Sequence, residues 1–124
     1  MKILAAGTTT TDPDLAFRTL DKHHKRTPIT LLVTTVDFLA ARAWAERNDV
    51  RASVYEPKPE HGSVGPALMN QAILRDDRPA VVLAFPGGKE TGDLVNRAMM
   101  AKVPVYAVVN TSAFKKVSTR RLGA

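Results

Sequence analysis

The chain has no cysteine among its 124 residues, so it can build neither a disulfide framework nor a thiolate metal site. Aromatic residues are scarce, 6% with a single tryptophan, which leaves little from which to make a base-stacking platform for single-stranded nucleic acid. The longest apolar runs are strand-sized, too short for a membrane-spanning helix, and the opening MKILAAGTTT has too brief an apolar stretch for a signal peptide. Familiar catalytic signatures are also missing: there is no GxSxG elbow, no HExxH, no GxxxxGKS/T loop and no GxGxxG after the first strand. With these classes excluded, the simplest expectation is a cytoplasmic protein without metal or cofactor. Acids are absent from the last fifteen residues, where Lys115, Lys116, Arg120 and Arg121 supply +4 of the net +6. Residues 110–124 are therefore expected to be a basic C-terminal tail, either a solvated end or a contact for nucleic acid or an acidic partner.

What remains is enough for one ordinary domain with a real core, since 44% of the chain is hydrophobic. Short aliphatic runs alternate with longer segments of helical spacing, the pattern of βα units and a mostly parallel sheet. The strand candidates are KILAA (2–6), ITLLVT (29–34), ASVYE (52–56), AVVLAF (80–85) and VYAVV (105–109). The last two are almost unbroken apolar runs and are expected at the centre, covered on both faces. Asp12 and Pro13 read as the N-cap and first residue of a helix that closes in the basic run ending at Arg26. Further helices are expected around Phe38 to Asn48, from Pro66, and from about Thr91 to Lys102. Met99 and Met100, adjacent on the last of these, cannot both face the core and suggest self-association, with a dimer as the first expectation.

In an open parallel sheet, ligands bind beyond the carboxyl ends of the strands. Gly7 and Thr8 begin a polar run before the first helix, which either holds an anion or only satisfies the helix start. Thr34 and Thr35 end the second strand without a glycine. His61, in the loop PKPEHGSVG, is the only histidine near a strand carboxyl end, whereas His23 and His24 belong to a helix end. After the fourth strand come Pro86, Gly87, Gly88, Lys89, Glu90 and Thr91. The glycines permit positive φ and close backbone approach, and Thr91 is placed to cap the helix that follows.

Three segments in order, ITLLVT leading to FLAARAWAE, HGSVGP followed by Asn70, and AVVLAFPGGKETGDLV, resemble the YspA-like branch of the SLOG superfamily. These are Rossmann-like domains named for the Smf/DprA and LOG proteins, and the resemblance covers about residues 1–109. It implies a single three-layer α/β domain with a five-stranded parallel sheet in the order 3-2-1-4-5. It also implies a nucleotide-derived ligand at the strand ends, held by Gly7, Thr8, Thr34, Thr35, His61, Asn70 and the segment Pro86 to Thr91. LOG relatives cleave nucleoside monophosphates to base and ribose phosphate, and Asp93 falls where they carry a glutamate. Smf/DprA relatives bind DNA, which here would fall to the basic tail.

The chain departs from that pattern where charge matters most. The family's GGR after the first strand is Ala6, Gly7 and Thr8 here, the glycine loop after the second strand is lost, and Leu68 or Met69 replaces an arginine before Asn70. Glu90 stands where the family has a glycine. Each charge-assisted phosphate contact is worth roughly 1.5–3 kcal/mol, so losing two arginines and gaining a glutamate weakens an ordinary nucleotide by orders of magnitude. The expected function is therefore a non-catalytic binding protein or scaffold. A LOG-like phosphoribohydrolase using Asp93 and a single-stranded nucleic-acid accessory protein are the alternatives.

Overall fold

Four of the five residues of the first strand, β1 (Lys2–Ala6), are buried, as befits a strand with a neighbour on each side and helices above and below. In the computed structural model, which describes residues 1–111 and 116–122, β1 pairs in parallel with β2 (Leu31–Thr35) and β4 (Val81–Ala84). Leu4 lies opposite Val33 on one side and Val82 on the other. β3 (Arg51–Tyr55) and β5 (Val105–Thr111) extend the sheet outward, which gives the expected parallel order 3-2-1-4-5.

A sixth strand, β6 (Lys116–Leu122), pairs antiparallel with β5, from Val105 opposite Leu122 to Thr111 opposite Lys116. This corrects the expectation of a basic tail over residues 116–122. Charge dominated that reading, but Val117 and Thr119 favour extended backbone, and pairing with an open sheet edge outweighs the three charges of Lys116, Arg120 and Arg121. Lys115 and the aromatic Phe114 lie outside the described residues.

Helix placement follows from strand order. The chain steps from β1 to β3 on one side of β1 and returns to β4 on the other, and right-handed crossovers then put the two helix pairs on opposite faces. α1 (Pro13–Arg26) and α2 (Leu39–Arg47) bury Leu15, Leu20, Ala41 and Trp44 against Ile3, Ala5, Leu32, Val81 and Leu83. α3 (Gly65–Asp76) and α4 (Lys89–Met100) bury Ile73, Leu94 and Ala98 against Leu4, Val33, Val82 and Val105. Each of the larger aliphatic side chains contributes about 1.5–3 kcal/mol through burial. Ile3 and Leu4, both fully buried, serve opposite faces, the strand period of two made visible.

Local signals hold at the start of α1, where the Asp12 carboxylate accepts from the Asp14 amide at 3.1 Å and Pro13 is the first helical residue. The other end is tied down by side chains: the Trp44 indole donates to Asp21 at 2.8 Å, and His24 Nδ1 accepts from the Ile29 amide at 2.9 Å. The stretch PKPEHGSVG is not all loop, because Pro59–Val64 forms a short 3₁₀ turn directly before α3. Among the described residues no helix is long and apolar enough to cross a membrane.

Deleting residues 112–124 removes the partner of β5 and leaves its outer backbone edge unpaired. The shortened protein is expected to melt several degrees lower or to aggregate, checked by thermal unfolding with size-exclusion chromatography. An unchanged melting curve would mean that the segment is a tail after all.

Candidate functional site

The strand order reverses between β1 and β4, so the loops leaving their carboxyl ends diverge and frame a crevice. The polar run after β1 mostly satisfies itself. The Thr8 amide donates to Thr11 Oγ1 at 3.0 Å, the Thr11 amide donates to the Thr8 carbonyl at 3.2 Å, and the hydroxyls of Thr8 and Thr10 lie 3.0 Å apart. These bonds fold the loop into a compact knot beside the turn after β4.

Two hollows flank that knot. Gly7, Thr8, Thr35, Asn70 and Thr91 come together, with Glu90, around a narrow cavity of about 60 Å³. Small-molecule pockets run to roughly 300–1,000 Å³, so this one admits a few waters or one compact polar group. On the other side Thr10, Thr11 and Asp12 face Pro86, Gly87 and Gly88 across a shallow, open depression. The expected ligand-binding set is thus divided rather than continuous.

Two of the glycines are set by packing. A Cβ on Gly7 would meet the Phe38 ring at 2.6 Å, and one on Gly87 would meet Thr91 Oγ1 at 2.5 Å. Both are therefore required by the protein's own packing, whether or not a ligand is present. Phe38 is fully buried and stands edge-on to Phe85, ring centroids 5.1 Å apart. Neither Gly87 nor Gly88 uses positive φ, which among the described glycines occurs only at Gly62. Of the two, Gly88 is the one that borders open space, as Gly62 and Gly92 also do.

α4 begins earlier than the sequence suggested, with Gly88 as its N-cap and Lys89 as its first residue, so Thr91 lies inside the helix and caps nothing. No side chain caps this end, and the first intrahelical bond runs from the Gly92 amide to the Gly88 carbonyl at 3.1 Å. The amides of Lys89, Glu90 and Thr91 consequently have no helical acceptor, and the dipole favours negative charge beside them. Glu90, exposed in the first turn, supplies some of that charge itself.

Four expected site residues line neither hollow. Thr34 is fully buried and its hydroxyl donates to the Ala5 carbonyl at 2.8 Å, a bond between neighbouring strands. His61 sits in the 3₁₀ turn, where its Cβ packs near Gly65. Lys89 is exposed at the start of α4. Asp93 is turned to α3: its Oδ2 accepts from Asn70 Nδ2 at 3.0 Å and from Arg97 Nε at 2.8 Å. Those two donors, Asn70 first, hold its carboxyl below the usual carboxylate range. Asn70, almost wholly buried, also donates to the Glu90 carbonyl at 3.1 Å and so braces α3 against α4.

Arg97 was not anticipated, although Asp and Arg four residues apart on a helix are a readable pair. With both contacts on one oxygen, Asp93 is tied to α3 and to its own helix and lines neither hollow. No protein-family model, no curated protein and no solved structure matches the chain.

Replacing Gly7 by alanine forces a methyl into the Phe38 ring and should destabilise the fold by about 1–3 kcal/mol. Gly88→Ala meets nothing and should cost less than about 1 kcal/mol. Urea unfolding of both variants checks the contrast, and equal losses would show that Phe38 yields freely.

Proposed function

We propose that this chain is a non-catalytic, SLOG-type binding domain that holds a nucleotide-derived small molecule by an anionic group at the open end of α4. The observation that carries this reading is the uncapped helix start on Gly88, at the point where strand order reverses. Free amides at Lys89, Glu90 and Thr91 offer donors to an oxyanion, and Gly88 leaves space for one to approach. The remainder of the ligand lies over the shallow side, between Thr10 to Asp12 and Pro86 to Gly88, because a nucleoside is too large for a cavity of about 60 Å³. Glu90 opposes phosphate and favours a ligand of lower charge. The ties from Asp93 to Asn70 and Arg97 argue against the phosphoribohydrolase alternative. Exposed Met99 and Met100 support a homodimer as the form in which the domain works.

Isothermal titration of adenosine, adenosine monophosphate and ADP-ribose tests the proposal. The phosphorylated compounds should bind and adenosine should not, and Glu90→Gln should tighten binding about two- to fivefold by removing an exposed like charge. Absence of heat from all three ligands overturns the reading. Release of free adenine from the monophosphate, lost in Asp93→Ala, would replace it by the hydrolase.

A further inference from the structure

We propose that the cavity between α1 and the β4–β5 part of the sheet, at the amino ends of the strands, binds a small molecule that joins an apolar body to a carboxylate. This site lies at the opposite end of the sheet from the α4 turn and is independent of it. Its volume is about 330 Å³, within the range of small-molecule pockets.

The cavity has a cause in the topology. A parallel sheet normally has both faces covered by helices. On this face the described helices are α1 and α2, packed over the β1 side, while the chain leaves β5 as the hairpin to β6 rather than as a covering helix. Val81, Leu83 and half-buried Tyr106 are left as an apolar floor. The last two turns of α1 form the wall.

That wall is cationic. Lys22 and Arg26 are exposed at the cavity, no described lining residue is acidic, and neither has an ion-pair partner among the described residues. Attraction to the helix C-terminal dipole accounts for basic residues on the last turn. It does not account for an apolar floor beneath them. A second observation points the same way: His23, also on the wall, has a buried Nδ1 with no hydrogen-bond partner. Buried polar atoms are rarely left so, and a ligand or the water that accompanies one satisfies it. Burial lowers the pKa of this imidazole and so favours the neutral ring, which can accept or donate at that nitrogen. An anionic group between Lys22 and Arg26, with an apolar body over Leu83 and Tyr106, uses every feature of the cavity.

The full chain, labelled with nitrogen-15, is titrated with 2-naphthoate and with its uncharged isostere 2-naphthamide, and amide shifts are followed. Naphthoate should move the amides of Thr19, His23, Val81 and Leu83, with naphthamide about tenfold weaker or worse. Lys22→Gln combined with Arg26→Gln changes only exposed side chains, leaves the fold intact, and should cost naphthoate about tenfold. The proposal is overturned if naphthoate moves none of these amides, if the amide binds equally well, if the double variant binds naphthoate unchanged, or if the shifts gather around Gly7, Thr8 and Thr91. Each of those results leaves the α4 proposal standing on its own test.

Discussion

The contact of the Phe38 ring with Gly7 governs how the carboxyl end of this sheet is built. Phe38 is the residue before α2, and its amide donates to the Thr35 carbonyl at 3.1 Å, so the ring is swung under the end of β1 immediately after β2 stops. There it meets the backbone of Gly7 and the ring of Phe85, and thereby joins the ends of three strands. A larger residue at position 7 would push α2 off the sheet. A smaller one at position 38 would open a hole beneath the crevice, where large-to-small changes of an aromatic cost about 3–5 kcal/mol. The glycine that looks like a phosphate-loop residue thus has a complete explanation inside the core.

The crevice inherits its shape from that contact and from two others. Thr34 spends its hydroxyl on the Ala5 carbonyl, and Asn70 spends its amide on Glu90 and Asp93. Groups that could have faced a ligand instead hold strands and helices together. What is left free is backbone: the uncapped first turn of α4, presented by a glycine with nothing near its α-carbon. Recognition through backbone amides does not depend on side-chain charge.

The architecture was legible because it rests on local period and strand order. Near-continuous aliphatic runs such as AVVLAF mark a strand buried on both faces, and the Asp12–Pro13 start of α1 follows from capping chemistry alone. β6 was not legible, because basic residues mask a modest β-propensity and only the open edge of β5 reveals what the segment is for. The clustering of the candidate residues was legible in part, but their individual roles were not. Gly7, Thr8, Thr35, Asn70 and Thr91 do converge, yet the roles of Gly7 and Gly87 depend on Phe38 and Thr91, contacts that no local pattern encodes. Asp93 shows the same limit, since its position suggested chemistry, whereas its partners Asn70 and Arg97 make it a tie between α3 and α4.

The central claim is that Phe38, rather than a ligand, accounts for Gly7, and that the anion site proposed above is the start of α4. Amide chemical shifts measured while inorganic pyrophosphate is added test it most directly. The account predicts movement at Gly88, Lys89 and Glu90, with Gly7 and Thr35 unmoved and the contacts of the Phe38 ring intact. Shifts concentrated at Gly7 and Thr35, with loss of the Phe38 to Phe85 contact, would contradict it.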